Sequence, residues 1–261
     1  MLLNRNIDNF FLIFFYLFPF FVILGPFFSD LYIILINLYF FYLLFFKKKK
    51  INIQNKEIIF LFAFYIVLIL SSLYNFKYNS TYNDNYFEII ISSLLLIRFP
   101  VFLIAIIFLF KNKFNFLYFS KINFIAITLL ILSLIFESFF GRDIFFTNNV
   151  MENRMSGLFR DELVSGSFLA KFSLFSIPFI FYLNKKYIKL SKPLVLIFIY
   201  LLIIIFFIFL TGERISFLHF MLIIGFFCII IFNVNKIYII IIICFLLSLF
   251  FFIFNSIKST P

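Results

Sequence analysis

The sequence predicts an all-α, polytopic membrane protein, a bundle of about nine transmembrane helices. Two observations carry this prediction. Of the 261 residues, 65% are hydrophobic, and the mean hydropathy is +1.17, whereas soluble domains are roughly 45–50% apolar. Such a chain has too little polar surface to cover a water-soluble fold, so lipid must be the solvent for most of its surface.

The apolar residues fall into runs separated by short polar segments. A membrane-spanning helix needs roughly 17–25 apolar residues, since every backbone polar group must find its partner inside the segment. Between the first and second runs only Ser29 and Asp30 are polar, which predicts a tight hairpin there. The predicted spans are Phe10–Phe28, Leu31–Phe46, Ile58–Leu73, Phe87–Phe110, Ile122–Phe140, Ser167–Leu183, Pro193–Leu210, Phe217–Phe232 and Ile237–Phe254.

The basic residues predict the orientation, because cytoplasmic loops carry an excess of Lys and Arg. If the N-terminus is cytoplasmic, most of the 22 lysines and arginines lie on the cytoplasmic side. Of the 11 acidic residues, only Asp8 and Glu57 lie on that side. The net charge of +11 is then the positive-inside signature rather than a nucleic-acid footprint. Polar loops at about 140–166 and 211–216 face outwards, to the periplasm of a bacterium with two membranes. The whole chain, 1–261, is predicted to be one transmembrane domain.

Metal and cofactor chemistry finds no support in the residue pattern. Cys228 and Cys244 both lie in apolar runs, His219 is the single histidine, and no phosphate-binding or dinucleotide motif occurs. We therefore predict a site without a metal or a cofactor.

The two outer loops collect the residues that a spanning helix does not need. Arg154 and Arg160 bracket Gly157 in the first loop, and Gly166 with Ser167 opens the sixth span, where serine is a favourable N-cap. The second loop adds a third arginine after a glycine. Helix N-termini attract anions, and the planar guanidinium donates two parallel hydrogen bonds to phosphate. The predicted diphosphate site therefore comprises Arg154, Arg160, Arg214, Gly157, Gly166, Ser167 and Gly212.

The run Arg154-x-Ser-Gly-Leu-Phe-x-Asp-Glu-x-x-x-Gly-Ser, followed by Thr-Gly-Glu-Arg-x-Ser-Phe, resembles the O-antigen ligase/polymerase family. The resemblance covers about residues 90–225. It implies a glycosyltransferase C-like membrane fold in the bacterial inner membrane, with its active face in the periplasm. It also implies metal-independent, inverting transfer of a glycan from undecaprenyl diphosphate to lipid A core, by a ligase, or to another lipid-linked repeat, by a polymerase. In this family the arginines hold the diphosphate, and further spans follow, so we expect the chain to be short at its C-terminus.

Arg98 is the one charge that the sequence places deep in a span, beside Pro100. Such a residue normally faces the bundle interior or a wet cavity. It is therefore a further candidate for holding a substrate phosphate, and the alternative is a structural ion pair, for instance with Glu137. His219, one turn after Arg214, is the weak candidate for a catalytic base; a helix–helix hydrogen bond is the alternative.

Several alternatives stay open from the sequence. The outer arginines can be solvated charges beside their own acids, Asp161, Glu162 and Glu213, because surface ion pairs are common and weak. A transporter or flippase is the rival function from another class, and an inactive partial copy of a ligase or polymerase is a third.

Overall fold

The structure, a computed structural model, describes residues 2–47, most of 59–71, 91, 94–110, 114–145, 154–160, 162, 164–188 and 193–232. These residues are mostly helical, which confirms the predicted all-α class for the part of the chain described. Contacts divide the chain into an N-terminal unit, Met1–Asn115, and a C-terminal unit, Phe116–Pro261.

The N-terminal unit begins with three helices: α1 (Leu2–Tyr16), α2 (Phe18–Ile23) and α3 (Pro26–Phe45). The break at Leu17 precedes Pro19, which has no N–H to continue a helical ladder. The prediction of one continuous span over Phe10–Phe28 is therefore wrong.

The hairpin between the first two predicted spans is also displaced. Gly25 has φ 113°, a conformation that glycine adopts readily, and Pro26 occupies the first position of α3. The chain therefore turns at Leu24–Gly25, and Ser29 and Asp30 belong to the first turns of α3 rather than to a loop.

A second break separates Arg98 from the residues before it. Leu96 and Ile97 form a turn, and α4 (Arg98–Phe110) starts directly after it. Pro100 explains the break, because its ring clashes with the carbonyl four residues earlier, that of Leu96. Helix α4 packs against α3, and aromatic rings fill the contact: Tyr32 is fully buried and its ring centroid lies 5.8 Å from that of Phe102.

The C-terminal unit contains α5 (Phe116–Phe140), a 3-10 turn (Gly157–Phe159), α6 (Ser165–Leu183) with a π-helical turn (Asn184–Ile188), α7 (Pro193–Leu210) and α8 (Arg214–Phe232). Helix α6 is central, since it packs against α5, α7 and α8. Leu130, Leu169 and Ile204 are fully buried in this core. The opposite sides of these apolar helices are exposed, as expected where lipid is the solvent.

Within the described ranges, three helical segments are long and apolar enough to cross a membrane: Pro26–Phe45, Phe116–Phe140 and Ser165–Ile188. Three shorter apolar helices accompany them among the residues described: Arg98–Phe110, Leu194–Leu210 and Arg214–Gly225. These helices indicate a membrane protein. The count of nine spans, the N-terminal side and the single domain over 1–261 stay predictions, and the predicted span Ile237–Phe254 lies outside the described residues.

Candidate functional site

The first arginine loop, residues 154–160, is held by a carboxylate from the end of α5. Glu137 is 2% exposed, and its Oε2 atom accepts a hydrogen bond from the backbone N–H of Gly157 at 2.7 Å. Its Oε1 atom accepts a longer one, 3.3 Å, from the N–H of Ser156. A buried carboxylate that accepts backbone N–H groups makes strong, charge-assisted hydrogen bonds, so this loop is tied firmly to α5.

Glycine is required at position 157 for two reasons. The residue has φ +60°, and a Cβ atom built there would lie 2.8 Å from the Ser133 hydroxyl and 3.0 Å from a methyl carbon of Leu130. The loop therefore approaches α5 more closely than any residue with a side chain would allow. The predicted structural role of Gly157 has this physical basis.

The second arginine loop, predicted over residues 211–216, is shorter than expected, because α8 begins at Arg214 and only residues 211–213 lie between helices. A carboxylate anchors this segment too. Gly212, at φ 71°, ends α7 in the left-handed conformation typical of helix C-termini. The next residue, Glu213, is 9% exposed. Its carboxylate accepts hydrogen bonds from the N–H of Gly166 at 2.7 Å, the N–H of Ser167 at 2.9 Å and the hydroxyl of Ser216 at 2.6 Å.

Glu213 thus occupies the anion position that the sequence suggested for a phosphate. The sequence predicted Ser167 as the N-cap of this helix, but α6 begins at Ser165. Ser167 is instead a hydrogen-bond donor in the first turn of α6. Gly166 is needed because a Cβ atom there would lie 2.5 Å from the Thr211 hydroxyl. The two predicted helix starts do meet, but the protein's own carboxylate satisfies the N–H groups of the first of them.

The two arginine loops are joined by a short series of hydrogen bonds. The hydroxyl of Ser165 donates to the backbone carbonyl of Met155 at 2.9 Å, and the neighbouring Gly166 N–H donates to Glu213. Met155 follows Arg154, and Glu213 precedes Arg214. The backbone segments that carry these two arginines therefore lie together at one end of the C-terminal unit, where α5 ends and where α6 and α8 begin.

Arg160 is the only residue other than glycine with a positive φ among those the structure describes, at 55°. This conformation costs roughly 1–3 kcal/mol, and such residues concentrate at functional sites. Its guanidinium carbon lies 4.3 Å from the centroid of the Phe145 ring, a cation–π distance. The side chain is exposed, while Asp161, its sequence neighbour, is outside the described residues.

Arg98 belongs to the N-terminal unit, where it forms an ion pair. Its Nη2 atom lies 2.9 Å from Oδ2 of Asp30, so the ion pair given as the alternative in the sequence analysis forms with Asp30. Glu137, named there as one possible partner, binds the first arginine loop instead. Asn37 donates to the Arg98 carbonyl at 3.0 Å. Asn37 lies seven residues after Asp30 on α3, about 10 Å along the helix axis. The Arg98 backbone is therefore next to the middle of α3, and the Arg98 side chain extends towards the N-terminal end of α3 to reach Asp30.

His219 lies on the exposed side of α8, next to the fully buried Phe220. In the described part of the chain, no hydrogen bond joins it to a predicted site residue, and its role as a base stays a prediction. No three His, Cys, Asp or Glu side chains come together as a metal site within the described ranges.

Glu137, Glu213 and Asp30 form the hydrogen bonds and the ion pair described above. The sequence analysis gave these three acidic residues no part in the predicted diphosphate site. Glu137 carried a detectable signal, since a carboxylate inside an apolar run needs a buried partner. Glu213 and Asp30 stand beside polar residues in sequence, and no local pattern distinguishes a buried carboxylate there from a solvated one.

The chain matches no protein-family model, no curated protein and no solved structure. Its function is therefore argued from the geometry of the arginine loops.

Proposed function

We propose that this protein transfers a glycan from undecaprenyl diphosphate at the periplasmic face of a bacterial inner membrane, as a surface-polysaccharide polymerase or ligase. The proposal keeps the predicted bundle of about nine spans with a cytoplasmic N-terminus. One observation carries it: hydrogen bonds through Ser165 and Gly166 join the backbone segments of Arg154 and Arg214 at one end of the C-terminal unit.

Glu137 and Glu213 both bind backbone at this end of the unit. Glu137 accepts hydrogen bonds from N–H groups of the first arginine loop, and Glu213 from N–H groups in the first turn of α6. Arg160 and Arg214 are exposed, and Arg154 is half-buried. An end of the bundle that presents arginines favours an anion, and the guanidinium fork suits the oxygens of a diphosphate.

In the proposed reaction, a hydroxyl oxygen of the acceptor attacks the anomeric carbon of the lipid-linked sugar. The bond from that carbon to the diphosphate oxygen breaks, and the undecaprenyl diphosphate leaves with the electron pair. Arginines placed against the diphosphate stabilise the charge that develops on it in the transition state. The hydroxyl proton passes to a base, for which His219 is the candidate from the sequence.

Arginine variants test this proposal in a strain that lacks the native gene. Arg154→Ala, Arg160→Ala and Arg214→Ala should each lower glycan transfer by about a hundredfold or more at normal protein level. The lysine variants should recover only part of the loss, since they keep the charge but lose the fork. Arg142→Ala is the matched control, an exposed arginine just after α5, and should remain active. Full activity in all three alanine variants would reject the proposal.

A glycan ladder gel, with extraction of undecaprenyl-linked sugars, separates the two versions of the reaction. Loss of long chains with a single repeat still attached to lipid A core indicates a polymerase. Loss of all attached glycan, with full-length chains left on the lipid carrier, indicates a ligase. No change in either pool would favour another function.

A transporter or flippase is the second candidate, and the Arg98–Asp30 pair favours it. This pair lies between apolar helices and directly after a helix break, and interrupted helices with intramembrane charges are typical of transport sites. Solute uptake into proteoliposomes that is lost in Arg98→Ala and kept in Arg214→Ala would support this function over glycan transfer.

A further inference from the structure

Glu213 stands between two helix starts. Helix α8 begins at the next residue, Arg214, and the Glu213 carbonyl accepts the N–H of Phe217 at 3.1 Å, the first hydrogen bond of that helix. Its side chain meanwhile accepts the N–H groups of Gly166 and Ser167 in the first turn of α6. One residue therefore caps α8 through its backbone and α6 through its carboxylate, so the positive ends of two helix dipoles converge on it.

This contact leaves little freedom to the backbone before Arg214. The carboxylate accepts three hydrogen bonds between 2.6 and 2.9 Å, and two of them go to consecutive N–H groups, which defines its orientation. Close packing adds to this restraint, because a Cβ atom at Gly166 would lie 3.1 Å from both Cβ and Cδ of Glu213. A shift of Arg214 relative to α6 would break these charge-assisted bonds in a buried place.

The same contact reaches the first arginine loop. Ser165, adjacent to Gly166, donates to the carbonyl of Met155, which follows Arg154. A displacement of Glu213 from α6 would thus separate Arg214 from the segment that carries Arg154. Because electrostatic stabilisation depends on donors held in place before the reaction, the spacing of the arginines matters as well as their presence.

We infer that Glu213 is a positioning residue for the proposed reaction: it holds Arg214 at the distance from Arg154 that the diphosphate leaving group requires. The inference rests on the proposed function. Under this inference, the N–H groups at the start of α6 bind the Glu213 carboxylate of the protein itself. The substrate phosphates then bind to guanidinium groups and not to this helix N-terminus.

Glu213→Gln is the first variant for the test. An amide nitrogen cannot accept an N–H, so one of the bonds to Gly166 or Ser167 is lost while the shape of the side chain is kept. We expect kcat for transfer from a purified undecaprenyl diphosphate glycan to fall by about tenfold to a hundredfold, as for an ångström-scale misplacement, with KM little changed. Ser216→Ala is the matched control: it removes the third bond to the same carboxylate and leaves both N–H bonds, so kcat should change less than about twofold.

A double-mutant cycle with Arg214→Lys separates positioning from general weakening. If Glu213 acts through Arg214, Glu213→Gln should lower kcat by a much smaller factor in the Arg214→Lys background than in the wild type. If the loss of kcat in the double variant equals the product of the two single-variant losses, the inference is overturned. A wild-type kcat in Glu213→Gln would overturn it too.

Two further readouts keep the outcomes distinct. Glu213→Asp retains the charge and should retain more kcat than Glu213→Gln; if neither variant folds, Glu213 is a purely structural residue and the inference is overturned. An active Arg214→Ala would also overturn the inference, whereas the proposed function itself is rejected only if Arg154→Ala, Arg160→Ala and Arg214→Ala are all fully active.

Discussion

Gly157→Ala should destabilise the C-terminal unit by about 2–4 kcal/mol, and the structure separates two causes. A side chain at φ +60° costs about 1–2 kcal/mol. Forcing a methyl group to 2.8 Å from the Ser133 hydroxyl and 3.0 Å from a carbon of Leu130 adds about 1–3 kcal/mol. The lower chain entropy of unfolded alanine offsets about 0.4–1 kcal/mol of this total.

The chain offers a matched control and a partial rescue for this prediction. Gly141 has nearly the same φ, +66°, but a Cβ atom built there has no atom of the described residues within 4 Å, so Gly141→Ala should show only the backbone cost, about 1 kcal/mol. Ser133→Ala removes the closest atom in the contact, and the double variant with Gly157→Ala should recover about 1 kcal/mol.

Equilibrium unfolding in mixed micelles, with a denaturing and a mild detergent, measures these differences. The order of stability should be wild type, Gly141→Ala, the double variant and then Gly157→Ala. Equal stability of Gly141→Ala and Gly157→Ala would refute the argument, because the close approach of the first arginine loop to α5 would then have no energetic consequence.

Three other predictions can be checked by the same unfolding measurement. Arg160→Gly should be about 1 kcal/mol more stable than Arg160→Ala, since only glycine relieves the positive φ; equal stability would argue against backbone strain. Arg98→Leu and Asp30→Leu should each be less stable than the double variant by up to about 1 kcal/mol, because either single change leaves an unpaired charge where the two side chains are 32% and 38% exposed; additive effects would contradict this. Ser120→Ala should cost about 1 kcal/mol, since its hydroxyl accepts the N–H of Phe179 at 2.8 Å, and no loss would mean that another acceptor replaces it.

The helices could be predicted from the sequence where an apolar run is bounded by strong breakers. The predicted span Pro193–Leu210 coincides with α7, which starts at a proline and is followed closely by Gly212. Where a run contained its own breakers, the boundaries were wrong: Pro19 and the Gly25–Pro26 pair interrupt it at points that hydropathy alone does not detect. Local backbone chemistry decided those boundaries, while average polarity had favoured Ser29 and Asp30.

The candidate site was predictable only in its loops. Sequence spacing located Arg154 and Arg160 between helices and Arg214 near a helix start, and the structure brings the segments of Arg154 and Arg214 together. It could not indicate that Glu213 would bind Gly166, because that contact joins residues 47 positions apart. The same limit applies to Arg98, whose partner Asp30 is distant in sequence and lies in a segment predicted to be a loop.

Glu137 and Glu213 solve one physical problem in the same way, and the solution shapes the proposed site. A loop that packs tightly on apolar helices buries backbone N–H groups, and each unsatisfied group costs about 1–3 kcal/mol. A glutamate supplies the acceptor for two consecutive N–H groups in each place: Glu137 for Ser156 and Gly157, and Glu213 for Gly166 and Ser167. These bonds fix the backbone next to Arg154 and Arg214. Electrostatic stabilisation of a diphosphate needs arginines that are held in place before the reaction, so the stability of this end of the unit and its proposed chemistry depend on the same two side chains.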